Sequence, residues 1–248
     1  MILDAHVHLG HDVVFDEDQS EEQLEEFYAK YQVDGGIIQP YIVRPYLEDT
    51  QAIHDRIAAF VKTSTKRWWG MVSINPHFRP QDYEAEAQRC VKDLGFVGLK
   101  ITPIAHACHP ASQDALHVFE MARALSVPLM IHTGAGIPFS DPISVVKALE
   151  SFKDVVVVLA HAGSEMHNQQ ATYLAEKFDN LYLEPSWVGV IGVGHMIKRL
   201  GSTKVMFSSD NIYQIPVELA KYHSILSDQN DLDNVLYKNV VSVYNLKI

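Results

Sequence analysis

Short apolar runs rich in β-branched residues alternate along the chain with stretches in which apolar residues recur at helical spacing. A short apolar run bounded by turn residues is typical of a buried β-strand, whereas apolar residues three and four positions apart are typical of an amphipathic helix. The sequence therefore predicts eight strands, at residues 2–8, 36–42, 69–74, 96–102, 128–133, 155–161, 181–185 and 205–209.

Helix-boundary residues fall in the segments between these strands. Ser20, Ser112 and Asp141 stand where a helix N-cap is expected, and Pro80 stands at the first turn of another helix. Polar residues near the ends of successive strands are 23 to 34 residues apart. Regular alternation of strand and helix at this spacing predicts an α/β fold, a (β/α)8 TIM-like barrel that occupies residues 1–248 as a single domain. An open, doubly wound sheet is the alternative, but no glycine-rich dinucleotide fingerprint follows the first strand.

Composition narrows the class of protein. The chain has 248 residues, 47% of them hydrophobic, and a formal net charge of −11 from 31 acidic and 20 basic residues. The basic residues are scattered, so no patch would neutralise a nucleic-acid backbone. No apolar run approaches the length of about 20 residues that spans a bilayer. No secretory leader pattern precedes the first strand. We therefore expect a cytoplasmic protein that binds neither nucleic acid nor membrane, with Cys90 and Cys108 as reduced thiols.

The first strand ends in two histidines that are two residues apart. Because side chains alternate faces along a strand, His6 and His8 are expected on one face and Ala5 and Val7 on the other. Neutral imidazole is a good ligand for Zn²⁺ and similar metals, so this pair would need only one or two further ligands to complete a metal site.

Candidate partners stand at the ends of later predicted strands. Lys100, His132, His161 and Asp210 each follow or interrupt an apolar run, and Glu184 ends the seventh strand. In a parallel barrel the carboxyl ends of the strands meet at one mouth, where active-site residues cluster. Buried histidine and lysine are costly unless they are paired, so several such placements indicate a functional site rather than core packing. Glu184 is expected either to contact the substrate or to join a network with Lys100.

The loops after the strands offer further residues. His106, Cys108 and His109 have ligand-type side chains, but no second cluster completes a structural zinc site, and a substrate-facing role is the better interpretation. Residues 102–112 and 134–141 form the longest loops and are expected to set substrate specificity. Because no separate lid or second domain is evident, a homo-oligomer in which a partner subunit helps to enclose the site is a further expectation.

The ordered set of strand-end residues resembles the amidohydrolase superfamily of metal-dependent barrels. The local motifs are most similar to those of its amidohydrolase-related branch, which contains amino-carboxymuconate-semialdehyde decarboxylase and related hydrolases. The similarity extends from the first strand to the last helix. The motifs that carry it are Asp4-Ala5-His6-Val7-His8, Gly98-Leu99-Lys100, Ile131-His132-Thr133-Gly134, His161-Ala162-Gly163 and Ser209-Asp210.

The resemblance implies a ligand set of His6, His8, His132 and Asp210 for one divalent metal, most simply zinc, with His161 beside the metal-bound water. Such a metal lowers the pKa of its water toward roughly 7, and Asp210 would then accept the proton and pass it to a leaving group. In other branches a strand-four lysine, here Lys100, carries a carbamate that bridges two metals, and the strand-five and strand-six histidines, here His132 and His161, hold the second ion. A lysine that pairs with a substrate carboxylate is the alternative, and the local motifs favour one ion.

Two activities are compatible with this interpretation. The first is hydrolysis of a small ester, lactone or amide by a metal-activated water. The second is decarboxylation of a small unsaturated or aromatic acid, which the resembling branch also performs. A barrel that binds metal or ligand without turnover is a third and less favoured hypothesis. A TatD-like nuclease would have an acid at the position of Lys100.

Overall fold

The protein is described by a computed structural model that covers residues 1–134 and 139–248. Residues 135–138, in the second of the two loops expected to set specificity, lie outside the described residues. Within the described ranges the chain forms nine strands: β1 Leu3–Asp12, β2 Glu17–Gln19, β3 Gly35–Pro40, β4 Arg67–Gly70, β5 Val72–Ser73, β6 Leu99–Ile101, β7 Leu129–His132, β8 Val157–Ala160 and β9 Leu181–Glu184.

Seven of the eight barrel positions are formed by these strands, paired in parallel in chain order. β4 and β5 are one barrel strand interrupted at Met71, whose N–H donates to the carbonyl of Ile38 on β3 (2.8 Å). Residues 205–210 fill the eighth position through isolated parallel bridges to β9 and to β1. The predicted (β/α)8 barrel is therefore confirmed, although its eighth strand is a bridged segment rather than a continuous strand.

β2 is the strand that the sequence did not predict. It pairs antiparallel with the end of β1, where Gly10 lies opposite Gln19 and Asp12 opposite Glu17. Its three residues are polar and have no strand propensity, so the hairpin follows from β1 continuing beyond the barrel rather than from an apolar pattern. The hairpin stands at the carboxyl end of β1, beside the barrel mouth.

Helices cover the outside of the barrel, and the main ones follow the predicted boundaries. Ser20 forms a capping box with Gln23, Ser112 caps the next predicted start, and Pro80 occupies a first turn. Asp141 instead precedes a 3₁₀ turn, Pro142–Val145, that leads into the helix without a side-chain cap. The described α-helices are α1 Glu21–Lys30, α2 Leu47–Thr63, α3 Pro80–Lys92, α4 Pro103–His106, α5 Gln113–Leu125, α6 Val146–Ser151, α7 Ser164–Lys177, α8 Val190–Leu200, α9 Ile215–Ile225, α10 Gln229–Asp233 and α11 Asn239–Val243. None of the helices in this described part is long and apolar enough to cross a membrane.

The apolar core has two layers, and β1 passes from one to the other. The larger cluster packs the sheet against the helices, and the smaller one includes residues of the barrel interior and of the C-terminal helix. Ala5 belongs to the smaller cluster and Val7 to the larger. The register of β1 against β3 shifts between Asp4 and Val7, so simple alternation fails there. The expectation that Ala5 and Val7 share one face is therefore wrong, although His6 and His8 do converge.

Candidate active site

The predicted chemical residues surround one cavity at the carboxyl ends of the barrel strands. His6 and His8 lie on β1, Lys100 on β6 and His132 at the end of β7, while His161 directly follows β8. Glu184 ends β9, and Asp210 ends the segment that closes the barrel. The cavity has a volume of about 380 Å³, and His8, Lys100, His132, His161 and Asp210 line it.

Three ligand-type atoms converge at the base of this cavity. The Nε2 atoms of His6 and His8 are 3.0 Å apart. Asp210 Oδ1 lies 3.1 Å from the first and 3.3 Å from the second. The structure thus brings together three of the four predicted metal ligands.

The hydrogen-bond partners of Nδ1 in His6 and His8 determine whether Nε2 of each ring carries a proton or a lone pair. His8 Nδ1 lies 3.2 Å from the carbonyl oxygen of Pro40, which can only accept, so the proton is on Nδ1 and Nε2 keeps a lone pair. His6 Nδ1 faces Glu184 Oε2 at 3.2 Å, and a carboxylate there leaves Nε2 of His6 in the same form. Metal-bound histidines are oriented by a carbonyl or carboxylate in this manner. Two imidazole lone pairs and a carboxylate oxygen within about 3 Å repel one another unless a cation lies between them, so the residues fit a divalent metal.

Buried charge at the mouth points to the same conclusion. Asp4 and Glu184 are fully buried, Asp210 is largely so, and Lys100 is the buried ammonium beside them. Three carboxylates against one ammonium leave two negative charges in excess when all are ionised, and a divalent cation would neutralise them.

The pKa values reflect this crowding. Burial raises the pKa of Glu184 well above its ordinary value, with hydrogen bonds from Ser186 in opposition. Its carboxylate form therefore depends on nearby positive charge, which a bound divalent cation would supply. Burial also disfavours ionisation of Asp210, but the neighbouring His161 and His6 outweigh it and hold the pKa of this carboxyl well below its usual range. Burial and the charge of Lys100 lower the pKa of His6 well below its ordinary value, so the ring is neutral.

His161 lies beside the three-atom cluster rather than within it. Its Nδ1 is 2.6 Å from the Ser186 hydroxyl, and its Nε2 is 3.9 Å from Asp210 Oδ2. The ring stacks on His6 with 5.2 Å between centroids. Burial lowers the pKa of His161 to about 4, although the negative charge of Asp210 raises it. The ring is therefore neutral near pH 7 and can accept a proton.

His132 reaches the cavity but stands apart from the three ligand atoms. Its ring centroid lies 4.9 Å from that of His161, in an edge-on arrangement. Among the described residues, the mouth holds two groups of three ligand atoms that all lie within 4.8 Å of one another, His6 with His8 and Asp210, and His6 with His161 and Glu184. His132 is in neither group, so its role as a fourth ligand stays a prediction.

Lys100 points into the same cluster from β6. Its Nζ lies 3.0 Å from His6 Nε2 and 3.5 Å from the sulfur of Met130. Burial lowers the pKa of Lys100 to about 8, with Asp210 and Glu184 opposing the shift. The ammonium therefore competes with a metal for the lone pair of His6 and loses its proton more readily than an exposed lysine does.

Four residues that shape the site were not singled out in this role from sequence. The carboxylate of Asp4 accepts the backbone N–H groups of His6 (2.9 Å) and Ser209 (3.0 Å) and the hydroxyl of Tyr28 (2.7 Å). Ser186 bonds His161, Tyr41 stacks on His8 with 4.7 Å between ring centroids, and Trp187 donates to Asp210. The role of Asp4 could have been predicted from sequence, because a carboxylate on a buried strand needs hydrogen-bond donors, and Asp4 stands two positions before His6.

Two other groups of ligand-type side chains lie away from the mouth. His54, Glu86 and Cys90 are buried together between α2 and α3, where Glu86 accepts from His54 Nδ1 at 2.7 Å and also bonds Arg89. These contacts already satisfy the carboxylate. In the loop after β6, His106 accepts the N–H of Thr102, and no group of three candidate ligands in the described ranges includes His106, Cys108 or His109.

The protein is a parallel eight-stranded barrel, and imidazoles, carboxylates and a lysine stand at the carboxyl ends of its strands. This arrangement is typical of the class of metal-dependent barrel enzymes. Within that class, the model of the family described as amidohydrolase matches residues 3–246, and the chain belongs to this family. The resemblance seen in the motifs is thereby confirmed. No curated protein matches the chain.

Solved structures with the same fold include two decarboxylases. The 5-carboxyvanillate decarboxylase of Sphingomonas paucimobilis is 15% identical with a TM-score of 0.75, and the match covers 99% of each chain. The dihydroxybenzoic acid decarboxylase of Polaromonas sp. JS666, solved with bound manganese and the inhibitor 2-nitroresorcinol, is 13% identical with a TM-score of 0.77 over 98% of this chain and 96% of that one. A putative amidohydrolase of Staphylococcus aureus is 14% identical with a TM-score of 0.75 over 99% of each chain. At these identities the likeness shows a shared fold.

Proposed function

We propose that this chain is a metal-dependent decarboxylase of a small aromatic or unsaturated carboxylic acid. The observation that carries the proposal is the convergence of His6 Nε2, His8 Nε2 and Asp210 Oδ1 at the base of the mouth cavity, with Lys100 Nζ 3.0 Å from His6. A divalent metal held by these atoms would supply positive charge to an anionic substrate and to the charge that develops as the carboxyl group leaves.

The cavity walls suit a flat, apolar substrate. Large apolar and aromatic side chains line it above the polar base, namely Val14, Phe15, Tyr41, Ile42, Ile104 and Trp187. A substrate carboxylate in this cavity loses water and is left with Lys100 and the metal as its positive partners. An apolar wall around a desolvated carboxylate favours loss of carbon dioxide, because the charge becomes more dispersed as the bond breaks.

The state of Asp210 favours decarboxylation over hydrolysis. Hydrolysis as first expected needs Asp210 to accept a proton from water. Its Oδ1 faces two imidazoles, its Oδ2 accepts the indole N–H of Trp187, and its pKa is held well below the usual range, so this carboxylate is a weak base. In the proposal Asp210 is a metal ligand, and His161 takes up a proton from solvent water. As the bond to the carboxyl carbon breaks and carbon dioxide leaves, the substrate carbon keeps the electron pair of that bond and receives the proton from His161. A neighbouring anionic substrate would raise the pKa of His161 toward the pH at which this transfer works.

The proposed cofactor is one divalent ion. The donor set of imidazoles and a carboxylate suits zinc, while the manganese bound in the Polaromonas decarboxylase makes manganese the first alternative. One ion is preferred, because the local motifs resemble those of the one-metal branch, and because His132 is in neither group of three ligand atoms found at the mouth among the described residues. Two equivalents of metal with a carbamate on Lys100 would contradict this part of the proposal.

Hydrolysis of a small ester, lactone or amide is the second candidate. It is supported by the neutral His161, whose Nε2 lies 3.9 Å from Asp210 and would serve as the base in its place. Binding without turnover is the third and least favoured hypothesis, and it would gain if His161→Asn and Asp210→Asn left every detectable activity unchanged.

The two reactions differ in their products. We would incubate metal-loaded protein with a panel of hydroxylated benzoates and unsaturated acids, and with lactones and esters, and measure carbon dioxide and pH. Carbon dioxide release that is lost after chelation and in Asp210→Asn, and retained in the exposed-histidine control His195→Asn, would support the proposal. Acid release without carbon dioxide would establish hydrolysis, and an unchanged Asp210→Asn variant would refute the assigned site.

A further inference from the structure

The second oxygen of Asp210 is held by a residue from the neighbouring strand end. The indole Nε1–H of Trp187, just after β9, donates to Asp210 Oδ2 at 2.7 Å. Oδ1 of the same carboxylate faces the two Nε2 atoms. Because an indole N–H can only donate, this bond fixes which oxygen turns toward the imidazoles.

Trp187 is held in this place by an unusual backbone. Its φ is +66°, a left-handed conformation that a bulky side chain adopts only when its surroundings impose it. Two contacts from α9 impose it. Glu218 Oε1 accepts the backbone N–H of Trp187 at 3.1 Å, and Lys221 Nζ donates to the carbonyl of Val188 at 2.7 Å.

Glu218 and Lys221 are themselves a buried pair. They are one helical turn apart on α9, their side chains are 2% and 9% exposed, and their charged atoms are 2.5 Å apart. A buried ion pair costs desolvation and is weak evidence for stability by itself. Here each member also bonds the backbone of the loop that carries the indole, Glu218 at Trp187 and Lys221 at Val188. The pair therefore fixes the conformation of this loop.

We propose that Trp187 is a positioning residue that orients the Asp210 carboxylate for a divalent cation, and that Glu218 and Lys221 hold the loop in the conformation this requires. The inference rests on the proposed function, since it takes His6, His8 and Asp210 as metal ligands. Trp187 is 47% exposed and also lines the cavity, but a residue that only lined the cavity would need no donor aligned with Asp210 Oδ2.

The test removes the indole N–H donor and keeps an aromatic ring at the cavity wall. In Trp187→Phe the ring remains and the N–H is lost, and we expect divalent metal to bind about 10- to 100-fold more weakly, as for other residues that orient metal ligands. The dissociation constant for Zn²⁺ or Mn²⁺ would be measured on the whole metal-free chain by competition with a chelator. With Co²⁺ as the probe, the visible absorption spectrum should also change, because the ligand geometry changes.

Matched variants separate positioning from simple packing. Trp69→Phe makes the same substitution at a partly buried tryptophan on β4 and should leave metal affinity unchanged. Glu218→Gln keeps an acceptor for the Trp187 N–H and should retain affinity, whereas Glu218→Leu should weaken it in the same direction as Trp187→Phe.

The outcomes distinguish this inference from the function on which it rests. A wild-type dissociation constant and Co²⁺ spectrum in Trp187→Phe would overturn the positioning role and leave the proposed function intact. Failure of the wild-type chain to bind any divalent metal would overturn both.

Discussion

Glu184→Gln tests whether the tautomer of His6 is set for a metal. Glu184 is fully buried, and its Oε1 accepts the backbone N–H of Ser186 (3.0 Å) and the hydroxyl of Ser208, while Oε2 faces His6 Nδ1 (3.2 Å). A glutamine amide must place its NH₂ on one side. Toward Ser186 it meets a group that can only donate, which costs about 1–3 kcal/mol as an unsatisfied buried contact. Toward His6 it forces the ring proton onto Nε2, the atom that faces Asp210.

Both orientations oppose metal binding. The first displaces the side chain that orients His6, and the second protonates the ligand atom itself. We expect metal affinity to fall about 10- to 100-fold, equivalent to about 1.4–2.7 kcal/mol. The assay is metal titration against a chelator, together with ring ¹⁵N chemical shifts that report which nitrogen of His6 carries the proton.

Glu86→Gln supplies a matched control for this substitution. Glu86 is also a buried carboxylate that accepts from a histidine Nδ1, that of His54 at 2.7 Å, but it lies between α2 and α3. This control should lose stability and keep wild-type metal affinity. If Glu184→Gln bound metal as tightly as the wild type with His6 still protonated on Nδ1, the tautomer argument would be refuted.

Three further outcomes follow from the same contacts. His161→Asn should lower kcat by about 10²–10⁴-fold while the metal content stays at the wild-type level, and a parallel loss of metal in elemental analysis would contradict a role outside the ligand set. Removing the metal with a chelator should lower the melting temperature by roughly 5–10 °C for metal present near 100 times its dissociation constant, with recovery on adding it back; an unchanged melting temperature would argue against a site in the folded state. Burial opposes ionisation of Glu86, but hydrogen bonds from His54 and Arg89 prevail and lower its pKa from 4.5 to about 2. The carboxylate therefore contributes about 3 kcal/mol that is fully present above pH 4.5 and is lost as the pH falls toward 2, so the stability gap between wild type and Glu86→Gln in urea unfolding should narrow over that range, and a constant gap would contradict it.

The barrel was predictable because its strands are short apolar runs at regular spacing, and each such run must be buried on both faces. Boundaries were less predictable. Residues 96–102 were predicted as a strand, but the strand itself is shorter, Leu99–Ile101. The two residues before it still bond to the preceding barrel strand, since Val97 N–H donates to the carbonyl of Gly70 and the carbonyl of Gly98 accepts the N–H of Val72. β2 could not be predicted, since its three residues are polar and pair only because β1 extends past the barrel.

For the site, the sequence indicated which residues would meet and not what holds them. The position of each strand end was enough to bring His6, His8 and Asp210 together, and their role as ligands stays a prediction. What orients them comes from backbone atoms and loop residues that no local pattern distinguishes. The carbonyl of Pro40 that fixes the His8 tautomer and the indole of Trp187 that bonds Asp210 are of this kind.

The same contacts close the barrel and assemble the site, and Asp4 makes two of them. One oxygen of its carboxylate accepts the N–H groups of His6 and Ser209, from the first strand and the closing segment, while the carbonyl of His6 accepts the N–H of Asp210 at 2.7 Å. The contacts that close the sheet therefore also set the distance between the imidazoles and the Asp210 carboxylate. An opened barrel would have no ligand cluster. A cation that binds the cluster binds only the closed form and must stabilise it by the free energy of binding.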